Sequence, residues 1–403
     1  MSFLRSLKHP SFAWLWSGQT ISRLGDSLYR IALSWWVLEK TGSAAIMGAV
    51  LIFSFTPALI FSLVGGVAVD RFSRVWVMIL SDLTRGVTVL VVSVLSVNGQ
   101  LEIWHVYAAS IIFGIVDAFF YPAYTAILPE ITPHDLLTSA NSLTSLSSNI
   151  TSIAGPALAA LLVKMGGTSL GFGLDGLSFL ISAACLLPLL RLPEKPHKTA
   201  AVTGFLHQFK EGIRAVLASR WLWITIALAA LINVTYAGPL QVSLPFLVER
   251  NLGGGVDAFG LIASFSAAGS MLSAVVLGRV KRLRRRGPLA YGAWIISGSM
   301  LVIYGFSHQL WLVLAAALVN GASIVTFGLI WTNTLQEQVP TELLGRVSSI
   351  DYLGSFVLLP LSYGIAGVLT DQFGASLVFI AGGLITMVLT TVGLANPAIF
   401  KLD

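Results

Sequence analysis

The chain has 403 residues, of which 56% are hydrophobic and only 10% are charged, and its mean hydropathy is +0.84. Soluble domains carry about 25% charged residues, so this composition excludes a soluble globule. Apolar runs of about 20 residues, long enough to cross a bilayer, recur along the whole length. Backbone groups in lipid must pair within their own segment, and these runs lack the two-residue alternation of a membrane barrel. We therefore predict an all-α membrane protein with twelve transmembrane helices.

The net charge of +6 fits a nucleic-acid partner by its size alone, but the positions of the basic residues indicate membrane topology. When the N-terminus is placed in the cytoplasm, most lysines and arginines fall in cytoplasmic segments. This asymmetry is the positive-inside rule, and it predicts that both termini are cytoplasmic and that anionic lipid is a partner. We expect no nucleic-acid partner. Cys185 is the only cysteine, so no disulfide framework or cysteine metal site is possible. We also expect no other metal site.

The N-terminal part of the chain contains six predicted helices. Their approximate ranges are 13–38, 45–69, 76–97, 103–128, 138–165 and 170–190. A Pro-rich, charged stretch follows Arg191 and leads into a basic amphipathic segment, which is typical of a helix on the membrane surface. A bundle interrupted once near its midpoint predicts a first bundle at 1–190, a cytoplasmic linker at 191–219 and a second bundle at 220–403.

The two parts of the chain align with each other. A shift of 207 residues pairs Trp14 with Trp221, Asp26 with Asn233, Tyr29 with Tyr236 and Gly167 with Gly374. Blocks more than 100 residues apart match at this one offset. Such self-similarity predicts two parallel six-helix repeats related by an axis along the membrane normal.

A charged loop closes the second predicted helix, where Gly66 is followed by Asp70, Arg71 and Arg74. This spacing resembles the signature loop between helices 2 and 3 of the major facilitator superfamily of secondary transporters. The segment Val339–Ser349 similarly fits the VPxxLxGRVxS run of the macrolide-efflux and siderophore-exporter branch. The resemblance covers essentially the whole chain and implies the major facilitator fold.

The resemblance implies that this loop is a charge latch, which grips neighbouring helix ends when the cytoplasmic side is closed. A loop that only fixes orientation is the alternative, but aspartate adds nothing to positive-inside orientation. Asp82 and Arg85 in the third predicted helix are interpreted as a structural pair joined to the latch. The predicted latch residues are Gly66, Asp70, Arg71, Arg74, Asp82 and Arg85.

Three charged residues, Arg23, Asp26 and Arg30, share one face of the first predicted helix. Each costs about 2.5–3.5 kcal/mol at mid-membrane, so none should face lipid. The resemblance implies that helices 1, 4, 7 and 10 line a central cavity. We interpret Asp26 as a proton carrier or cation-recognition site, with Arg30 adjusting its affinity for protons; a structural ion pair is the alternative. Asp117 in helix 4 is a second coupling candidate, with a structural role as its alternative.

Polar and aromatic side chains on these helices are predicted to line the substrate cavity, because mixed surfaces of this kind suit promiscuous binding. Packing is the alternative for most of them. The predicted cavity residues are Gln19, Arg23, Asp26, Asp117, Tyr121, Tyr124, Asn233, Tyr236, Gln241, Phe327, Trp331 and Asn333.

Gly155 and Pro156, followed by Ala159 and Ala160, resemble the antiporter motif Gly-Pro-x-x-Gly-Gly of the drug-exporting branches, with two alanines in place of glycines. In those branches the motif favours export over import. A Gly-Pro pair that serves only helix packing is the alternative.

Catalytic and nucleotide-binding motifs are absent from the sequence, so we expect a transporter driven by a gradient, with no cofactor and no enzymatic activity. The resemblance implies a monomeric exporter of small amphipathic compounds, such as drugs or macrolides, by proton antiport. Its expected location is the bacterial cytoplasmic (inner) membrane. An exporter of a specific metabolite such as a siderophore is the alternative. A non-transporting receptor would need neither the latch nor the buried acids, and an importer predicts proton symport and a cavity rich in paired amides.

Overall fold

The computed structural model describes residues 2–69, 71–191, 205–280 and 283–402. Within these ranges every regular element is helical and no strand occurs. Ten helical segments of the described chain are long and apolar enough to cross a membrane. The prediction of an all-α, multi-span membrane protein is therefore confirmed, whereas the count of twelve spans stays a prediction.

Five α-helices make up the described N-terminal part of the chain. They are α1 (Pro10–Thr41), α2 (Ala44–Val69), α3 (Arg74–Val97), α4 (Ile103–Ile131) and α5 (Leu137–Leu186). α1 carries Arg23, Asp26 and Arg30 in its middle and is not among the ten apolar segments. It begins at Pro10, which suits a first turn because the N–H that proline lacks would have no partner inside the helix there. It ends at Thr41, and the following Gly42 adopts the left-handed conformation.

The 50-residue helix α5 is interrupted at Gly167, which has φ 74° and ψ 175°. Only glycine adopts this conformation readily, so the residue separates two helical stretches that correspond to the predicted helices 138–165 and 170–190. Pro156 also lies inside α5 but does not interrupt it. Gly167 is the one residue of α5 whose φ and ψ are not helical.

Ten α-helices follow in the described residues of the C-terminal part. They are α6 (Phe205–Ala218), α7 (Arg220–Gly238), α8 (Leu244–Arg250), α9 (Val256–Leu277), α10 (Arg286–Phe306), α11 (Leu310–Gln338), α12 (Thr341–Phe356), α13 (Leu359–Phe373), α14 (Ala375–Leu394) and α15 (Pro397–Phe400). Of the predicted linker, residues 205–218 form α6, and residues 192–204 lie outside the described chain.

Two prolines interrupt helices in this part of the chain, between α7 and α8 and at the end of α12. A proline removes the hydrogen bond to the carbonyl four residues earlier and its ring clashes there. Pro245 affects Gln241 in this way, and a π-helical turn at Pro239–Ser243 joins α7 to α8. Pro360 has the same effect on Phe356, where α12 ends. Gly374, between α13 and α14, adopts φ 84° and ψ 155°, close to the conformation of Gly167.

The chain forms two compact units. The first consists of Met1–Gly42 and Ala49–Ala200, and the second of Ser43–Gly48 and Ala201–Asp403. In the first unit, α1 and α3 both pack on α5, and α4 packs on α3. In the second unit, α10 packs on α11 and α14, α9 packs on α11, and α7 packs on α13 and α14.

The first turn of α2 belongs to the second unit, where it is hydrogen-bonded to Asp371 of α13. The Ser43 hydroxyl donates to Asp371 Oδ2 at 2.6 Å, and the backbone N–H groups of Ala44 and Ala45 donate to the same carboxylate at 2.6 and 3.0 Å. The first N–H groups of a helix have no partner inside the helix, and its N-terminal dipole favours a negative charge. Asp371 meets both needs at once.

Candidate functional site

A cavity of about 490 Å³ lies within the first unit and is lined mainly by α1, α2, α4 and α5. Its charged residues are Arg23, Asp26 and Arg30 from α1, Arg85 from α3 and Asp117 from α4. Hydroxyl groups supply most of the remaining polar lining, and they belong to Ser27, Ser54, Ser110, Ser148, Thr151 and Ser152. The structure therefore brings the three predicted coupling residues, Asp26, Arg30 and Asp117, to one cavity.

Asp26 faces this cavity without a salt bridge. Within the described part of the chain, no Lys, Arg or His nitrogen lies within 4.0 Å of its carboxylate. Arg23, one turn earlier, instead donates to the Tyr124 hydroxyl at 3.3 Å, and its guanidinium lies 5.4 Å from the centre of that ring. This arrangement differs from the structural ion pair that was the alternative for Asp26.

Arg85 connects the cavity to a buried polar network. It donates to Asp117 Oδ1 at 3.1 Å and to Asp82 Oδ1 at 2.7 Å. Asp82 is fully buried, whereas the Asp117 side chain is 52% exposed. The Ser182 hydroxyl donates to the second oxygen of Asp82 at 2.7 Å. A predicted latch pair, Asp82 and Arg85, thus shares one network with the predicted coupling residue Asp117.

Two aromatic rings fix the position of Arg85. Its guanidinium carbon lies 4.2 Å from the centre of the Phe120 ring and 4.5 Å from that of Phe179. Cation–π contacts of this kind partly replace the water that a buried guanidinium loses. Arg85 is therefore held by two rings and two carboxylates and has little freedom to reorient.

Three predicted cavity residues of the first unit are not part of the cavity lining. Gln19 is buried and donates to the Ser182 hydroxyl at 3.0 Å, so it belongs to the network behind the cavity. Tyr121 is 69% exposed and is not part of the cavity lining. Tyr124 lies beside the cavity through its contact with Arg23 and stacks with Phe120 at 6.3 Å.

The predicted latch is described in part. Arg74, the first residue of α3, forms an ion pair with Glu130 and donates to the Ala126 carbonyl at 3.2 Å, which ties α3 to the end of α4. Arg71 is exposed in the preceding turn. Gly66 belongs to α2, and Asp70 lies outside the described residues.

The predicted antiporter motif lies where α5 packs on α1. A Cβ atom at Gly155 would come within 2.6 Å of the Ser27 hydroxyl, so only glycine allows this approach. Pro156, Ala159 and Ala160 are buried. Ser27 itself lines the cavity, and the motif therefore packs directly behind the cavity wall.

In the second unit, the predicted cavity residues make helix-packing contacts or lie exposed. The Tyr236 hydroxyl donates to Asn320 Oδ1 at 3.0 Å, and Asn233 Nδ2 donates to the Ser355 carbonyl at 2.8 Å. Phe327 stacks on Trp294 with 3.6 Å between ring centres. The exposed members are Gln241 and Asn333.

Trp331 contacts Asp351, an acidic residue that the sequence analysis did not single out. Its indole N–H donates to Asp351 Oδ2 at 3.0 Å. A signal was available, because an ionisable residue inside an apolar span is costly and usually functional. The serines that line the first cavity gave no comparable signal, since single hydroxyl groups are common in membrane helices.

No group of three or more His, Cys, Asp or Glu residues in the described ranges is arranged to hold a metal ion. The first unit instead offers a carboxylate without a salt bridge, three guanidinium groups and a set of hydroxyls around one cavity. Such a lining can bind a small polar or charged group and can exchange protons with it.

Ten apolar helical segments in the described chain, with a polar cavity among them, are typical of a multi-pass membrane protein. The family model of the Major Facilitator Superfamily matches residues 15–363. The chain belongs to this superfamily, as its signature loop predicted, and is a transporter rather than an enzyme.

Its relatives include exporters. The chain is 25% identical over 396 residues to macrolide efflux protein A of Streptococcus pyogenes, covering 97% of both chains. It is 26% identical over 396 residues to the multidrug efflux pump Tap of Mycolicibacterium fortuitum, with 94% of each chain covered. It is also 26% identical over 379 residues to the enterobactin exporter EntS of Shigella boydii, covering 91% of this chain and 88% of that one. The predicted resemblance to the efflux branch is confirmed.

Solved structures show the same fold at lower identity. The nucleoside transporter NupG matches with a TM-score of 0.75 and 14% identity, covering 98% of this chain and all of that one. A bacterial homologue of the iron transporter ferroportin, in an inward-facing state, matches with a TM-score of 0.68 and 16% identity over 96% of this chain and 99% of that one.

Proposed function

We propose that the protein exports small amphipathic compounds, such as drugs or macrolides, by proton antiport with alternating access. The observation on which this proposal depends is the Asp26 carboxylate, which faces a cavity among three arginines without a salt bridge. A carboxylate in this position can take up a proton from the cavity and release it when the surroundings change. The similarity to macrolide and multidrug efflux proteins supports export as the direction.

The proposed architecture has twelve spans in two parallel halves, 1–190 and 220–403, joined by the linker 191–219. Counting α1, and counting the two sides of Gly167 separately, would raise the ten apolar segments to twelve. Gly167 and Gly374, which align at the 207-residue shift, share an unusual backbone conformation, and this supports the repeat. Both termini would lie in the cytoplasm of a bacterium, with the protein in its inner membrane as a monomer.

In this mechanism Asp26 carries the proton. The positive charge of Arg30 disfavours proton uptake by Asp26 until substrate binding or a change of access alters the surroundings of the carboxylate. Asp117, held by Arg85, adds a second carboxylate to the same cavity. The ion pair of Arg74 with Glu130 contributes to the cytoplasmic latch. The proton gradient supplies the energy, since moving one charge is worth about 2.3 kcal/mol per 100 mV, and no cofactor takes part.

The structure also favours a second candidate, the export of a specific anionic metabolite such as a siderophore. Arg23, Arg30 and Arg85 surround the cavity with three cationic groups, which suit an anion. The similarity to an enterobactin exporter supports this candidate.

Reconstituted vesicles with an imposed pH gradient test the proposal. We expect the wild type to move a dye or a macrolide against its gradient and to release protons when substrate is added. Asp26→Asn, which keeps the shape but cannot ionise, should reduce both signals roughly to the level of protein-free vesicles. Asp257→Asn, at the start of α9 and outside the cavity lining, is the matched control.

Full-rate gradient-driven transport by Asp26→Asn would exclude this carboxylate as the coupling group. Transport of a siderophore such as enterobactin by the wild type, with no transport of dyes or macrolides, would favour the second candidate.

A further inference from the structure

A second cavity, of about 260 Å³, lies within the second unit between α11 and α12. One acid, Asp351, lines it together with three aromatic side chains, those of Trp331, Tyr352 and Phe356. Its other polar lining residues, Thr332, Gln336 and Ser348, are uncharged and exposed. The cavity is separate in its lining from the arginine-rich cavity of the first unit.

Asp351 is held in place by neutral donors. The Trp331 indole N–H donates to Oδ2 at 3.0 Å, and the Ser355 hydroxyl donates to Oδ1 at 3.4 Å. In the described chain, no Lys, Arg or His nitrogen comes within 4.0 Å of this carboxylate. Two neutral hydrogen bonds orient an acid but do not compensate its charge. The cavity wall therefore presents an oriented negative group inside an apolar span, where such groups are costly and mark functional sites.

The three aromatic side chains that line the cavity each pack against another ring. Trp331 contacts Trp221 edge-on at 5.6 Å between ring centres and lies parallel to Phe327 at 6.3 Å. Tyr352 and Phe356, one helical turn apart, have ring centres 5.1 Å apart, and Tyr352 is 55% exposed. The electron-rich faces of such rings attract organic cations, and aromatic cages are a recurrent way to bind quaternary ammonium groups.

We propose that this cavity binds the cationic head of an amphipathic substrate, namely a quaternary ammonium, a phosphonium or a protonated tertiary amine. Pockets that enclose a drug-sized ligand measure about 300–1,000 Å³, so this smaller cavity fits a head group while the apolar remainder extends outside it. The arginines of the first cavity would repel the same group. The proposal rests on the proposed function and names the substrate class that the exporter takes.

Equilibrium binding to the purified full-length protein in detergent, without any gradient, tests the proposal. The probe is radiolabelled tetraphenylphosphonium, and tetraphenylborate provides the same shape with the opposite charge. We expect the wild type to bind the cation and to discriminate against the anion. Asp351→Asn should weaken binding of the cation by about 10- to 100-fold, and Tyr352→Leu by about three- to tenfold.

Three further variants separate a charge effect from damage to the fold. Asp351→Glu keeps the charge and should retain most of the affinity, and Asp257→Asn removes an acid outside the cavity and should leave the affinity unchanged. Trp331→Phe keeps a ring but removes the indole donor, so it should weaken binding less than Asp351→Asn. Each variant is compared with the wild type by its thermal-unfolding midpoint.

The proposal is overturned if Asp351→Asn binds tetraphenylphosphonium as the wild type does, or if it loses affinity for cation and anion equally. It is also overturned if the wild type exports neutral compounds but does not bind the cation, an outcome that leaves the proposed function intact. Conversely, Asp351-dependent cation binding by a protein that exports nothing would support this site and contradict the proposed function.

Discussion

At the scale of single residues, Arg85 is the cationic partner of two carboxylates in the first unit, those of Asp82 and Asp117. Replacing it with Gln would leave Asp82 fully buried without a cationic partner. Breaking one side of a buried ion pair costs about 3–5 kcal/mol, so Arg85→Gln should lower the thermal-unfolding midpoint of the purified protein markedly. Asp117, which is half exposed, should tolerate the loss better than Asp82 does.

A double variant and an exposed arginine control this prediction. Asp82→Asn combined with Arg85→Gln removes both charges and should recover much of the lost stability, because no buried charge is left unpaired. Arg279→Gln, at an exposed position just after α9, should shift stability by less than about 0.5 kcal/mol. An Arg85→Gln protein as stable as the wild type would show that the network does not support the fold.

At the scale of helices, Gly167 and Gly374 determine where long helical segments turn. Both have positive φ with extended ψ, a region that is essentially restricted to glycine and costs other residues about 1–3 kcal/mol. Gly167→Ala and Gly374→Ala should each destabilise the protein by this amount, as measured by thermal unfolding in detergent.

The matched control is Gly328→Ala, because Gly328 lies inside α11 and an added Cβ atom would meet open space. Alanine favours the helix over glycine by about 1 kcal/mol, so this variant should be neutral or slightly stabilising. Equal effects of all three substitutions would contradict a conformational role for Gly167 and Gly374.

The start of α2 provides a second prediction at this scale. Asp371→Ala removes the acceptor of three hydrogen bonds from Ser43, Ala44 and Ala45. Loss of a helix cap costs about 0.5–2 kcal/mol. Hydrogen–deuterium exchange should therefore become faster at the amides of Ala44 and Ala45, while amides in α10 keep their protection. Unchanged exchange at those two amides would show that the carboxylate is dispensable there.

At the scale of the whole molecule, the class of fold followed from the sequence because membrane insertion depends on composition over long windows. Apolar length and the distribution of basic residues are additive properties of the chain, and both can be counted without knowing any contact. The signature loop at Gly66–Arg74 and the run at Val339–Ser349 added the superfamily. The gathering of Asp26, Arg30 and Asp117 at one cavity also followed, because charges in a span avoid lipid.

The partners of individual side chains did not follow from the sequence. Gln19 and Tyr121 were predicted to line the cavity, but the rotation of each helix about its own axis decides which face is enclosed, and neighbouring helices set that rotation. The hydrogen bond from Arg85 to Asp117 connects residues 32 positions apart in the sequence. The hydrogen bond from Trp331 to Asp351 connects residues 20 positions apart. Such pairings depend on how separate helices meet, which periodicity within one helix does not record.

The hold of Asp371 on Ser43–Gly48 has a consequence for dissecting the protein into fragments. A polypeptide cut between residues 192 and 204 would leave Asp371 on the C-terminal piece and the turn that it caps on the N-terminal piece. In the C-terminal fragment alone, the Asp371 carboxylate would lack the hydrogen-bond donors that Ser43, Ala44 and Ala45 supply in the intact chain. Co-expression of both fragments, or addition of a short peptide spanning that turn, would restore what the cut takes away.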